Sequence, residues 1–469
     1  MQVLLLRCRV APPLLDSGGF KSPRRGDRYN RNQVAYNVQP TIATKSSPSA
    51  VWRWAVLTAV SVAMFGNYYA YDAIGPVADS LQRILGYSDT QIGTLNAIYS
   101  FPNILMVLIG GVIVDRFGAA RATLAFTVIQ AIGALVTALS PMFPVMAAGR
   151  LIFGLGAESM IVAITVAIGQ WFVGRQLGFA FGLNLSLARL GSYSADMSTT
   201  WFKPLYDRGW QPPLWLATGF AAVAVVGAVV YYVLDRSARR RFNLMEASSQ
   251  SDRVVWSDLW RFDASYWYIV GLCVTFYSVI FPFRSTFAIK YFQHAHGLSL
   301  QDAGSMNAYV FLAAIVATPA FGLMVDRIGR RAAFMAFGTF LLCAVFPVLA
   351  YTNASLWVST VLIGIAFSLV PAVLWPAVPY IVEPQRLGTA YGLMTMLQNI
   401  GMMLANLAAG ALNDASGAGP GNPAGYRPML WMFLLLSLFG FVFAAALRIR
   451  EAGSRGHGLE TIRASEATT

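Results

Sequence analysis

From about residue 52 onward, apolar runs of about 20 residues or more follow one another, broken only briefly by Gly, Pro or charge. A helix needs about that length to cross roughly 30 Å of hydrocarbon. Inside hydrocarbon each backbone N–H and C=O must find its partner within the protein. The runs do not alternate polar and apolar residues, which excludes a β-barrel. Only 12% of the 469 residues are charged and the mean hydropathy is +0.56, against roughly 25% charged in a soluble domain. The chain reads as an all-α membrane protein.

Twelve runs are candidate transmembrane helices: 52–77, 91–114, 119–139, 142–172, 176–203, 210–235, 265–292, 301–325, 330–350, 354–382, 386–413 and 426–447. The connections alternate in charge. One set holds Arg116 and Arg121, then Arg175, then Arg236, Arg239, Arg240, Arg241, Arg253 and Arg261, then Arg327, Arg330 and Arg331, then Arg386. The other set is short and nearly neutral, as in "YTNAS" at 351–355. Arginine excess marks the cytoplasmic side, so both termini are expected there. The same pattern accounts for the net charge of +13 without a nucleic-acid partner. Residues 1–50 read as a disordered cytoplasmic tail, 51–235 as a first six-helix bundle, 236–262 as a cytoplasmic connection, 263–450 as a second bundle and 451–469 as a cytoplasmic tail. Cys8, Cys273 and Cys343 have neither metal nor disulfide spacing.

The two bundles are copies of each other. "GGVIVDRFGAAR" (110–121) recurs as "FGLMVDRIGRRA" (321–332), so Asp115 matches Asp326 at an offset of 326 − 115 = 211. "LGFAFGLNLSLARLG" (177–191) recurs as "LGTAYGLMTMLQNIG" (387–401), where Gly178, Gly182 and Gly191 match Gly388, Gly392 and Gly401 at 388 − 178 = 210. A six-plus-six membrane repeat predicts a binding site at the midplane between halves that rock about it.

On these residues the chain resembles the major facilitator superfamily over about 52–450. The family's loop signature is intact in the second half as Gly322, Asp326, Arg327, Gly329, Arg330 and Arg331. The first copy keeps Gly111, Asp115, Arg116 and Gly118, but Ala119 and Ala120 replace the paired basic residues, which leaves a simpler inner latch. The resemblance implies gating by these loops, with an aspartate lying over a neighbouring helix N-terminus and holding an Arg. Within the superfamily, "YYAYDAIGP" (68–76), "AIYSFPNIL" (97–105), "GRLIFGLGAESM" (149–160), "LNLSLARLGS" (183–192), "AVLWP" (372–376) and "RLGTAYGLMTMLQNIG" (386–401) resemble the lysosomal dipeptide transporter branch. That branch implies a carrier of short peptides. Its eukaryotic members imply a glycosylated companion subunit, which no residue here requires.

Glu158 lies inside an apolar helix, where a bare carboxylate costs about 2.5–3.5 kcal/mol even on lenient scales. It is 172 − 158 = 14 residues from the cytoplasmic end of its span, or about 21 Å. Arg189 is at a similar depth on the next, antiparallel span, so the two are expected to pair. A zwitterion would replace that pair, its amino group on Glu158 and its carboxylate on Arg189. A permanent structural pair, or a Glu158 that carries protons, stands as the alternative. Their counterparts at offset 210 are Ser368 and Asn399, so the charge belongs to the first half.

Tyr71, Tyr99 and Trp375 are candidate aromatic walls, and Asn399 completes the predicted substrate set. Asp72 reads as an outer gate or a boundary charge, and Arg284 and Lys290 as outer cations that attract anions or snorkel to the surface. His294 and His296 read as exposed, too few for a metal site. With neither a nucleotide loop nor a nucleophile–base arrangement, no enzyme, cofactor or metal is expected. The expectation is a carrier working by alternating access in a bacterial cytoplasmic membrane, or a lysosomal one if eukaryotic. Its solute is dipeptide-like, with an organic-anion or sugar carrier, or a non-transporting sensor or scaffold, as the other readings.

Overall fold

The computed structural model describes residues 49–172, 176–242, 262–352, 355–383, 386–454 and 456–460. Most of the predicted N-terminal tail, Arg175, the stretch 243–261 and the last nine residues lie outside them. All the regular structure among the described residues is helical. The first six rods are α1 (Ala50–Asp72) with α2 (Ile74–Leu85), α3 (Asp89–Phe117), α4 (Ala119–Leu139), α5 (Phe143–Phe172), α6 (Leu177–Trp201) and α8 (Gln211–Phe242), with a short α7 (Lys203–Asp207) before the last. The second six are α9 (Ala264–Phe281) with a π-helical turn (Pro282–Phe287) and α10 (Ala288–His296), then α11 (Leu300–Ile328), α12 (Arg331–Tyr351), α13 (Leu356–Ile381), α14 (Leu387–Ala415) and α15 (Arg427–Glu451). The α1 start and the arginine-rich turns share one end of the bundle, here the basic face; the other end is the far face.

Local sequence explains the breaks. Ser88 and Gln91 form a capping box at the start of α3. Gly118 and Gly329 take φ of +82° and +72° in the two signature turns, a region that only glycine enters at little cost. Eight of the rods are long and apolar enough to cross a membrane by length and composition, nine with the bent α3. The α1–α2 rod, α6 and α14 fall short because they bury polar residues, among them Asp72, Asp196 and Asn399. Those side chains point between the halves and not toward lipid, where they would be costly.

Two predicted boundaries are corrected. The connection expected from 236 begins later, because α8 continues to Phe242, with Arg239 pairing back one turn to Asp235 at 2.5 Å. The first rod runs on past the predicted 77 to Leu85, so Asp72 is a buried mid-rod residue and not a boundary charge.

The halves meet where α3 packs on α14 and α6 on α11. Glycines make that approach possible. A Cβ on Gly93 would stand 2.4 Å from Asn406 O, on Gly410 2.3 Å from Asp89 O, on Gly304 2.8 Å from Asp196 O, and on Gly75 2.8 Å from Ser285 O. All four lie toward the far face. Near the basic face, a Cβ on Gly111, Gly178, Gly182 or Gly322 would meet nothing within 4 Å. The halves are therefore wedged together at one end only. Replacing Gly410 with Val should force α3 and α14 apart and lower the melting temperature of the purified protein by about 2–4 °C, whereas Gly111→Val should change it by less than about 1 °C. Equal shifts in a thermal melt would contradict this reading of the seam.

Candidate functional site

The site begins at the break in the first rod. Pro76 has no N–H to give to the carbonyl one turn back, and the helix interrupts at Ala73. Arg150 on α5 reaches the loosened turn, donating to Ala70 O at 3.3 Å and Tyr71 O at 3.2 Å. It also donates to Leu95 O at 3.2 Å and to Asn96 Oδ1 at 2.6 Å on α3. Asn96 then donates across the halves to Thr286 Oγ1 at 2.8 Å, and Thr286 to Asn406 Oδ1 at 2.8 Å. This network fixes Tyr71 and Tyr99 against each other, ring centroids 4.7 Å apart.

A cavity opens between the halves on the basic side of that break. Glu158, Arg189, Tyr71, Tyr99, Trp375 and Asn399 all line it. The aromatic wall is hydrogen-bonded: Trp375 Nε1 donates to Tyr277 Oη at 2.9 Å, and Tyr391 Oη donates to the Trp375 carbonyl at 3.0 Å. Tyr277 stacks on Phe281 at 5.7 Å.

The expected ion pair is not made: no Glu158–Arg189 contact within 4 Å occurs among the described residues. Glu158 instead accepts from Tyr99 Oη at 3.1 Å, and the Arg189 guanidinium stacks 4.3 Å from the Phe367 ring centroid on α13. Counting residues along two helices gave both charges the same depth but not their direction. Several polar atoms in the wall lack a protein partner: Arg189 Nε, Asn399 Oδ1, Asn67 Oδ1 and Ser192 Oγ. Buried polar groups normally find partners, which sets these four atoms apart from the rest of the wall.

Asn67, Tyr68, Ser192, Tyr277, Thr395 and Gln398 line the cavity too but were not singled out in the sequence. The repeat carried the signal. At offset 210, Asn67 matches Tyr277, Tyr71 matches Phe281, Leu185 matches Thr395, Arg189 matches Asn399 and Ser192 matches Met402, and all ten are lining residues.

The far face is sealed by charge. Arg284 on the π-helical turn donates to Asp72 Oδ1 at 2.8 Å and to the Asp196 carboxylate, joining α1, α6 and the second half. Asn307 Nδ2 also donates to Asp196, at 3.0 Å. Lys290 pairs with Asp89, and Asp414 caps α3 from the other half, accepting from Asp89 N–H at 2.7 Å and Thr90 N–H at 2.8 Å. Arg284 and Lys290 are thus buried clamps, not free or snorkelling cations, because carboxylates of the opposite half neutralise them. His294 is not exposed either: it bridges Asp79 at 2.9 Å and Tyr426 Oη at 2.7 Å, while His296 is exposed. No cluster able to hold a metal occurs among the described residues.

The residues of the two signature loops lie at the basic face. Asp326 pairs with Arg331 at 2.9 Å within the second half, and Arg327 and Arg330 are exposed. Arg116 is exposed beside Phe117, and Asp115 closes the last turn of α3.

Comparison with known proteins points the same way. The family model described as the Major Facilitator Superfamily matches residues 60–287 and 283–465. The lysosomal dipeptide transporter MFSD1 of Danio rerio is 31% identical over 368 residues, covering 75% of this chain and 79% of the relative. Among solved structures, a mutant of the nucleoside transporter NupG superposes with a TM-score of 0.67 at 14% identity, covering 84% of this chain and 99% of that one. A bacterial homolog of the human lysosomal transporter Spinster gives a TM-score of 0.66 at 16% identity, covering 86% and 98%.

Removing Arg284 would leave two buried carboxylates uncompensated, at about 3–5 kcal/mol. In a cysteine-free background, Thr199→Cys, buried in the seam, should stay silent to a maleimide. With Arg284→Ala added it should label; unchanged protection would refute the clamp.

Proposed function

This chain belongs to the major facilitator superfamily and is an integral, multi-pass membrane transporter; from that premise we propose that it carries dipeptides, or similarly small zwitterionic solutes, by alternating access. One observation carries the reading. Two opposite charges, Glu158 and Arg189, line one aromatic-walled cavity between the halves without pairing with each other. In a site of low dielectric, unpaired charges bind a complementary dipole strongly. The ammonium group of a dipeptide would meet Glu158 and the Tyr71 and Tyr99 faces. Its carboxylate would meet the planar fork of Arg189, with Asn399 Oδ1 and Ser192 Oγ free for its peptide group. Trp375 and Tyr277 would hold the side chains.

The positive-inside rule makes the basic face cytoplasmic, with both termini on that side. On that orientation the sealed far face suits an inward-facing state, with Arg284 as the outer gate. In the opposite state the signature loops, with Asp115, Arg116, Gly118, Asp326, Arg327, Gly329 and Arg330, would close the cytoplasmic side around Gly111, Gly178, Gly182 and Gly322. A second reading has one observation in its favour. Among the described residues Glu158 accepts from one tyrosine hydroxyl and makes no ion pair, which suits a proton carrier beside an anion on Arg189.

Counterflow of labelled dipeptide in proteoliposomes tests both. The full chain should exchange dipeptide without a pH gradient, and Glu158→Gln and Arg189→Ala should each lower exchange by at least about 100-fold, as expected for removing one charge-assisted contact from a buried site. Normal exchange by both variants would reject the site. Strict dependence on a pH gradient would select the proton-linked reading.

A further inference from the structure

A second hollow, of about 460 Å³, lies at the basic face between the start of α4 and the end of α8, away from the solute cavity. Its floor is Ala119 and Ala120, the two positions where the first signature loop lacks the arginines of the second. Its walls carry Arg121, Arg236, Arg239 and Arg240. Asp235 lies there too, but it takes Arg239 at 2.5 Å and accepts from Trp171 Nε1 at 3.2 Å. Arg236 donates to Tyr232 Oη at 3.3 Å. Among the described residues that line the hollow, four arginines thus face one carboxylate, an excess of three. The α4 helix also opens on Gly118, which offers no side-chain cap, so its positive end points at the same space.

The second half supplies an independent observation of what this position takes. At offset 211, Ala120 matches Arg331 and Ala122 matches Ala333. There the helix start is occupied by the chain's own carboxylate: Ala333 N–H donates to Glu460 Oε1 at 2.9 Å, and Arg331 N–H donates to Leu459 O at 2.9 Å. The same helix start, built from the same repeat, holds an anion in one half and an arginine-lined hollow in the other.

We propose that the hollow binds a phosphate group, supplied by an anionic phospholipid headgroup rather than by free phosphate. Arginine forks match phosphate oxygens two at a time, and a helix N-terminus adds backbone donors. The hollow sits at the bundle end that the arginine pattern places at the membrane surface. Beside it, Val226, Val229, Val230 and Val233 are all more than 40% exposed along α8, with Phe117 at the rim, an apolar track for acyl chains. Anionic lipid held here would tie α4 to α8 on the rim of the first half.

The purified full chain, titrated with phosphatidylglycerol and phosphatidylcholine and read by native mass spectrometry, tests this. Phosphatidylglycerol should bind at least about tenfold more tightly, and the triple change Arg121→Ala, Arg236→Ala, Arg240→Ala should remove the difference. Ala120→Glu keeps every arginine but places a carboxylate where the second half has Glu460. It too should abolish the preference, with an unchanged melting temperature showing that the fold persists. Competition by millimolar inorganic phosphate would overturn the lipid source in favour of free phosphate. Equal binding of the two lipids, or a preference that survives both variants, would overturn the site.

Discussion

A guanidinium held between two carboxylates from the opposite half is the contact on which this conformation turns. Arg284 meets Asp72 and Asp196 in a fully buried setting. Separating such charges without water is expensive, so the three rods that carry them stay together until water reaches them. Phe311 covers the guanidinium at 3.7 Å and also lines the solute cavity. Clamp and cavity thus share a wall, and Asp72 directly follows the cavity residue Tyr71 in the chain. The glycines at 75, 93, 304 and 410 then let backbone meet backbone around the clamp. Charge holds the seam shut and glycine makes it thin.

The same apolar interior contains charges of a second kind. Glu158 and Arg189 are as deep as a membrane helix allows, yet each rests on an aromatic residue of the wall and not on the other. Ion-paired groups a short way off join the halves, whereas the two in the cavity carry no ion pair among the described residues. That contrast separates the clamp charges from those proposed to bind solute better than burial does, since Arg189 and Arg284 are both buried. Arg150 shows a third use: it donates to the Ala70 and Tyr71 carbonyls at the end of α1 and so ties α5 to the wall that Tyr71 and Tyr99 form.

Much of this was legible in the sequence because the halves repeat. Apolar runs located the twelve rods, offsets of 210 and 211 matched the glycines and the signature turns of the two halves, and counting along the helices gave Glu158 and Arg189 one depth; with Tyr71, Tyr99, Trp375 and Asn399 they line one cavity. What escaped was contact across the pseudo-symmetry axis. Asp72 and Arg284 are 212 residues apart, and Asp196 and Arg284 are 88 apart. No periodicity links them, because a repeat relates like positions and the clamp joins unlike ones. Azimuth escaped as well. A residue count along a helix measures height, which is why Glu158 and Arg189 matched in depth and yet turned to different neighbours. His294 misled for a simpler reason: its partner Asp79 lies on the other half.

The cap that Asp414 places on α3 has a consequence for motion. The N–H groups of Asp89 and Thr90 have their carboxylate only while the seam is shut. When the halves part, these donors and the freed carboxylate must all be met by solvent, as must Lys290 and Arg284. Opening the far side is therefore a hydration event as much as a rotation. If the halves alternate as proposed, the rate of that opening would be tied to the activity of water, and osmolytes excluded from narrow crevices would slow turnover at a step that involves no solute at all.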